Sequence, residues 1–335
     1  MLEYILRVFR HAIAQFGDME YYTFVLIGLM IAVWIVGSVV NNRIAKKLFD
    51  QGIAPALAGE FAAPATSLFK ESNSHYFAYS SGRGGCSGMS CSLHLSPRQD
   101  FISRFGVGWF WPSWYPSDRV VIEVAGAEID PAVSALICRK FKAKELTEKF
   151  PEMKKLAKPF NGALEDGVFA KHSSSSLTGF TYICDAGGRA IGPNVFGKSS
   201  LLSSQFPPTI LDDIKYILVS GSTKQVTVEF EKIPSNWEQV VGFILRGILD
   251  PLTEIKVSDS VRVEVMAARE ADAIREREAA EREAREEATN KRNAEKKKER
   301  EEMLKRMSPE QARKLEEKEQ KKQLKKKMAS GRMYL

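Results

Sequence analysis

The alternation of apolar and polar residues changes period several times along the chain, and each change marks a different element. Residues 21–40, YYTFVLIGLMIAVWIVGSVV, carry no charge. As a helix rising about 1.5 Å per residue they match a hydrocarbon core of roughly 30 Å, which predicts one transmembrane helix. Tyr21 and Tyr22 suit one headgroup interface, and Asn41, Asn42, Arg43, Lys46 and Lys47 close the other. A cleavable signal sequence is the competing reading, but the run outlasts a usual apolar region of that kind and no small-x-small site follows it. Ahead of it Leu2, Ile5, Leu6, Phe9, Ile13 and Phe16 recur at helical spacing opposite Glu3, Arg7, Arg10 and Gln15. That pattern fits a helix lying on a membrane or packed on a partner, over residues 1–20.

Residues 51–64 are rich in Ala, Gly and Pro, which predicts a juxtamembrane linker over residues 41–67. Beyond it, residues 75–79 and 89–95 flank a Gly-rich turn and predict a hairpin. RVVIEVA at 119–125, residues 134–139, FTYIC at 180, IKYILVSG at 214 and KQVTVEFE at 224 read as strands. Residues 141–156 show helical spacing, with Pro151 placed to bend or end the helix early. SNWEQVVGFILRGIL from Ser235 sets Trp237, Val240, Val241, Ile244, Leu245 and Ile248 on one helical face. Strands and helices mixed without strict alternation predict an α+β domain over residues 68–251.

Between Leu252 and Ser308 there is no Gly or Pro, and from Ala267 the chain is almost only Ala, Glu, Arg and Lys, the composition of a long helix. Ile274 and the alanines 279, 280, 284 and 288 do not sustain a heptad seam, so the helix is expected to be solvated or laid along a partner. Ser308 and Pro309 begin a second helix. Residues 252–335 are therefore a charged helical tail in two pieces. The fold expected is an α+β cytosolic domain with one N-terminal transmembrane helix and a long charged C-terminal helical tail.

Charge sharpens this division. Of the net +7, residues 267–312 contribute nothing, with thirteen basic and thirteen acidic groups, whereas residues 313–332 hold nine basic and three acidic ones. So localised an excess is a footprint for a polyanion, either nucleic acid or an anionic membrane surface. The candidate contacts are Lys296, Lys297, Lys298, Arg313, Lys314, Lys318, Lys321, Lys322, Lys325, Lys326 and Lys327. Four scattered cysteines make no disulfide framework, and no N-x-Ser/Thr acceptor is present. With Arg7 and Arg10 before the span against Arg43, Lys46 and Lys47 after it, these features favour a lumenal N-terminus and a cytosolic C-terminal side.

Motifs of catalysis are weak. GPNVFGKS, residues 192–199, satisfies the phosphate-binding loop pattern with Gly192, Gly197, Lys198 and Ser199. The preceding strand ends near Cys184, too early to run into that loop, and the paired Pro207 and Pro208 leave little room for the helix that should leave it. Cys86, Cys91 and His94 could offer metal ligands, but the cysteine gap is wide and no clear fourth partner lies near, so thiols are the expectation. His75, His94 and His172 stand in no nucleophile motif. No catalytic residue, metal or cofactor is expected. In GWFWPSWYP, Trp109, Phe110, Trp111, Trp114 and Tyr115 form either a loop folded on the core or an exposed patch contacting membrane or a membrane protein.

Three stretches together carry a resemblance: NNRIAKKLFD after the span, KESNSHYFAYSSGRGGCSGMSCSLHLSPRQD at 70–100, and SPEQARKLEEKEQKKQLKKKM in the tail. Lys70, Glu71, Ser72, Ser81, Gly82, Arg83, Cys86, Gly88, Met89, Arg98, Gln99 and Asp100 are its most specific residues. The chain resembles the coiled-coil domain-containing protein 47 (calumin) family. The resemblance implies an endoplasmic-reticulum membrane protein of the PAT complex. Such a protein acts with an Asterix-like small membrane protein to assist multi-pass clients at the Sec translocon, its tail helices engaging ribosomal RNA. It implies a chaperone and scaffold with no catalytic centre. Animal members have a signal peptide and a long acidic lumenal segment tied to calcium, while about twenty residues precede the span here, so calcium binding is not carried over. Two other readings stand beside it: a membrane-anchored nucleotide-binding protein using residues 192–199, and a lipid-contact tether using residues 321–327.

Overall fold

The computed structural model describes residues 18–111, 115–150, 153, 158–160, 169, 179–197, 202, 206 and 208–306. Helix α1 (Asp18–Leu48) contains the apolar run and passes through a π-helical turn (Phe49–Ile53) directly into α2 (Ala54–Ala58). The linker expected over residues 41–67 is thus, up to Ala58, a continuation of the helix. Pro55, which has no N–H to give to the preceding turn, falls just after this π segment, where the regular α-helical hydrogen-bond ladder is already interrupted. Gly37, Asn41, Ala45, Phe49, Ile53, Leu57 and Phe61 recur every fourth residue and are all buried. In an α-helix each such step overshoots a full turn by about 40°. The wider π turn brings the stripe part of the way back, so it keeps facing the domain.

That domain is built on a nine-stranded sheet in the order β1-β2-β3-β4-β9-β8-β5-β7-β6, with every pairing antiparallel. The strands are β1 (Phe69–Lys70), β2 (His75–Ser81), β3 (Gly88–His94), β4 (Arg119–Ala125), β5 (Ser134–Arg139), β6 (Lys158–Pro159), β7 (Phe180–Cys184), β8 (Ile214–Ser220) and β9 (Gln225–Phe230). β2 and β3 make the predicted hairpin, and the other predicted strands are all present. Only β1 and β6, two residues each, carry too short a pattern to be read from sequence. β9 closes the sheet by pairing with β4, a contact between segments about a hundred residues apart.

Further helices are α3 (Ala143–Lys149), α4 (Ala186–Phe196), α5 (Trp237–Gly242), α6 (Asp250–Glu254) and α7 (Asp259–Arg306). A second π-helical segment, Phe243–Leu249, joins α5 to α6. One sheet face presents Tyr76, Met89, Leu93, Ile122, Val124, Val228, Phe230, Ile217 and Tyr182. It is covered by the helical stretch 237–254 and by α2 and α4, in one continuous core. Among the described residues, the other face is covered at the β5-β7-β8 end, where Leu146, Met153 and Phe150 pack on Leu136, Cys138, Ile183 and Tyr216. Where β1 to β3 lie, Phe69 stacks on Phe77 at 5.2 Å and both are exposed.

Two contacts lock α2 onto this core. Arg83, held between Gly82 and Gly85 with their positive φ angles, pairs with Glu60 just after α2 and with both oxygens of Asp250 at 3.0 and 2.8 Å. Gly52 lies so close to the Trp237 indole that a Cβ there would overlap the ring. Gly52→Ala should therefore destabilise the domain by about 1–3 kcal/mol. Gly28→Ala, with nothing within 4 Å of the added carbon, should leave stability unchanged; thermal unfolding of the full chain in detergent followed by tryptophan fluorescence checks the contrast.

Candidate functional site

The first candidate site is the point where α1 meets the domain. From Tyr22 to Val36 every residue except Val33 is exposed, and burial starts at Gly37. A Cβ on Gly37 would collide with the Arg98 carbonyl and the Gln99 amide, so glycine is what lets this backbone cross the helix. One turn on, Asn41 is fully buried. Its Nδ2 lies within hydrogen-bond distance of the carbonyls of Asn73 and Ser96 (3.0 Å each) and of Gln99 Oε1 (3.1 Å), while its Oδ1 accepts from Arg98 Nη1 at 2.9 Å. Arg98 in turn grips Asp118 with both terminal nitrogens, at 3.0 and 2.6 Å, and Ser96 donates its N–H and hydroxyl to the same carboxylate at 2.7 and 2.8 Å. Burial disfavours the Asp118 carboxylate, but the hydrogen bonds from Arg98 and Ser96 and the Arg98 charge outweigh it and hold its pKa below the ordinary value.

Immediately after Gln99 comes a short helical segment. Asp100 caps it by accepting from the N–H groups of Ile102 and Ser103 at 3.0 and 3.3 Å. The backbone then runs through a π turn, Ile102–Val107, and a last turn, Gly108–Phe110. Of the predicted aromatic patch, Trp109, Phe110 and Trp111 are exposed, Tyr115 is half-buried, and Trp114 lies outside the described residues. Ile102 and Phe105 extend the patch, and neither stood out in the sequence, although both lie at helical spacing ahead of Trp109.

The second candidate is the charged arm. Its first turns belong to the domain: Arg262 pairs with Asp130 at 2.7 Å, and Arg269 Nη2 donates to Ser134 Oγ at 2.7 Å and Asp185 Oδ2 at 3.0 Å. Asp185 also accepts from the Ser134 and Gly188 amides, capping α4. Burial nevertheless raises its pKa, more than these partners lower it. Nothing in sequence distinguished Arg262 and Arg269 from the other basic residues of this region. From Glu270 the chain is a separate unit, in which α7 continues with every residue from Ala273 to Glu295 exposed. Ion pairs such as Arg275–Asp272 (3.3 Å) and Arg285–Glu281 (3.7 Å) line it, as expected for a solvated helix. Lys296, Lys297 and Lys298 are helical positions, and Lys298 is exposed. Arg313, Lys314, Lys318, Lys321, Lys322, Lys325, Lys326 and Lys327, the restart at Ser308 and Pro309, and the amphipathic pattern of residues 1–17 lie outside the described residues.

A family model for the PAT complex subunit CCDC47 matches residues 18–326, from the first residue of α1 to well into the basic tail. The chain belongs to the CCDC47 family. Nothing among the curated proteins matches it. CCDC47 proteins are subunits of the PAT complex.

Two motifs read differently once placed in this CCDC47 domain. Gly192 and the next four residues are the last turns of α4, so their geometry is helical rather than that of a loop wrapping a phosphate; Lys198 and Ser199 lie outside the described residues. Cys91 points into the core from β3, whereas His94, three residues on, occupies the opposite face beside His75, with ring centroids 4.5 Å apart. Cys86 is half-buried in the preceding turn. The structure does not bring these three together, and among the described residues no cluster of His, Cys, Asp or Glu has metal-binding geometry.

The lowered pKa of Asp118 fixes a sign. Its stabilising contribution is complete above the ordinary carboxyl pKa of about 4 and is lost as pH falls through the lower folded value. Hydrogen exchange at the segment 96–100 should thus be slower in the native protein than in Asp118→Asn at neutral pH, with the difference closing as the solution is acidified below pH about 4. Arg98→Ala, which leaves the buried Asn41 oxygen without its donor and Asp118 without its counter-charge, should cost about 1–3 kcal/mol at neutral pH in the same measurement.

Proposed function

We propose that this CCDC47-family protein is a membrane-protein biogenesis factor of the endoplasmic reticulum, anchored by α1 with its N-terminus lumenal and its domain and arm cytosolic. In this reading it binds translating ribosomes at the Sec translocon and, with an Asterix-like small membrane protein, assists multi-pass clients. The observation that carries it is the family match itself, because one model of a PAT complex subunit spans the apolar helix, the sheet domain and the tail through Lys326. The distribution of charge supports the role given to the tail. A charge-balanced helix keeps the arm soluble without drawing it to every anion. The nine basic residues of 313–332 concentrate attraction at its end.

Phosphate contacts of this kind are made through counterion release and carry little base specificity. If about six of the basic groups engage ribosomal RNA, binding should weaken on the order of a thousandfold between roughly 50 and 200 mM salt. Co-sedimentation of the reconstituted full chain with ribosomes should therefore fall steeply with salt and with deletion of residues 313–335. Salt-insensitive binding, or binding unchanged by the deletion, would overturn the role of the tail. Flotation of the tail with anionic liposomes separates RNA from lipid as its polyanion.

A further inference from the structure

The short helical segment after Gln99 presents apolar side chains that none of the described residues covers. Trp109 is 77% exposed, Phe110 70% and Ile102 64%, with Phe105 exposed beside them. Contiguous surface of this kind marks a place where something other than water belongs. We propose that Ile102, Phe105, Trp109 and Phe110 insert into the headgroup–acyl boundary of the leaflet from which α1 emerges, giving the domain a second attachment to the membrane. The proposal rests on reading α1 as a transmembrane helix.

Position is the first argument. Gly37 is the first buried residue of α1 among those described, and the backbone packed against it is that of Arg98 and Gln99. The 98–99 backbone thus meets α1 at the edge of its exposed, apolar half. The segment begins at the next residue, Asp100, and cannot start far from that level.

Depth is the second. An apolar run over residues 21–40 fills a core of roughly 30 Å, so Gly37, three residues before its end, sits about 4–5 Å inside the hydrocarbon boundary. A segment leaving the domain at that height meets the boundary itself. Interfacial helices bury their apolar face about 5–10 Å into this zone.

Chemistry is the third. Three aromatic side chains and one aliphatic one, on a segment capped by Asp100 and carrying Arg104 with its guanidinium 5.6 Å from the Phe105 ring, match the composition of a membrane interface. Arg43, Lys46 and Lys47, exposed on the next turns of α1, would face the headgroups just outside it. A protein partner would equally accept aromatic side chains, but the lipid surface is already present wherever α1 is inserted. Because Arg98, itself held by Asp118, and Gln99 both bond Asn41, the segment that follows them is tied to the helix, and insertion of the helix carries the segment to the bilayer.

The test uses the full chain in lipid nanodiscs with no other protein. Cys86→Ser removes the accessible thiol, while Cys91, Cys138 and Cys184 are buried with pKa values pushed up to about 12 and stay unreactive. A polarity-sensitive fluorophore is then placed through Trp109→Cys, with Leu29→Cys in α1 and Tyr79→Cys on the open sheet face as references. Circular dichroism and the melting curve of each variant report that the fold is kept. The Trp109 probe should be quenched by nitroxides at the headgroup and upper acyl chain, the Leu29 probe by deep nitroxides, and the Tyr79 probe only by an aqueous quencher. An aqueous Trp109 probe beside a lipid-buried Leu29 probe would overturn the proposal and leave the transmembrane reading intact. Aqueous values at both would overturn the transmembrane reading and the proposal with it. A Trp109 probe that becomes shielded only after microsomal proteins are added would overturn it in favour of a protein partner.

Discussion

Everything else in the domain depends on how α1 exchanges one environment for another without breaking. An apolar helix that simply ended at a membrane would be joined to its domain by a loop. Here the same helix continues into the protein core, and its covered stripe begins with a glycine and a fully buried asparagine. A buried amide is costly unless its donors and acceptor are met. The cluster of Asn73, Ser96, Arg98 and Gln99 meets them, and Asp118 neutralises the arginine that results. Polar bonding has direction where apolar packing has little, so the cluster fixes the rotation of α1 as well as its depth.

From that junction rigidity passes inward. The stripe continues through Phe49, Ile53 and Leu57 into the same core that the sheet and the helical stretch 237–254 share. Arg83 then joins the end of α2, the β2-β3 turn and the start of α6 in one charged knot. Among the described residues, helical cover lies on one sheet face, and the β1–β3 part of the other carries none. This arrangement suits a subunit of an assembly, in which surfaces outside the core remain available to neighbours.

The arm obeys a different constraint. Its first turns are held by two arginines on buried or half-buried carboxylates, at Asp130 and Asp185, whereas the rest has no apolar face to bury. A helix of this composition gains its order from propensity and side-chain pairs along its own surface. It can therefore carry charge along its whole length without needing a partner to stay helical. The family model matches both the packed domain and the arm.

Sequence alone determined what short-range pattern can determine. The apolar run, the strands at 119–125, 134–139 and 180–184, and the Gly- and Pro-free helix of the arm are each specified by composition and period within a single element. The stripe from Ala45 to Phe61 was also there to be read, but Ala, Gly and Pro around it imitate a linker, since propensity is local and burial is not. Tertiary structure decided the rest. It turned GPNVF, residues 192–196, from part of a nominal loop into the end of a helix that Asp185 caps, and it set Cys91 and His94 on opposite faces of one strand. It chose Arg98, Arg262 and Arg269 from among many basic residues because the fold carries a carboxylate within their reach. Such pairings join residues tens to more than a hundred positions apart, a distance over which periodicity carries no information and packing alone selects the partner.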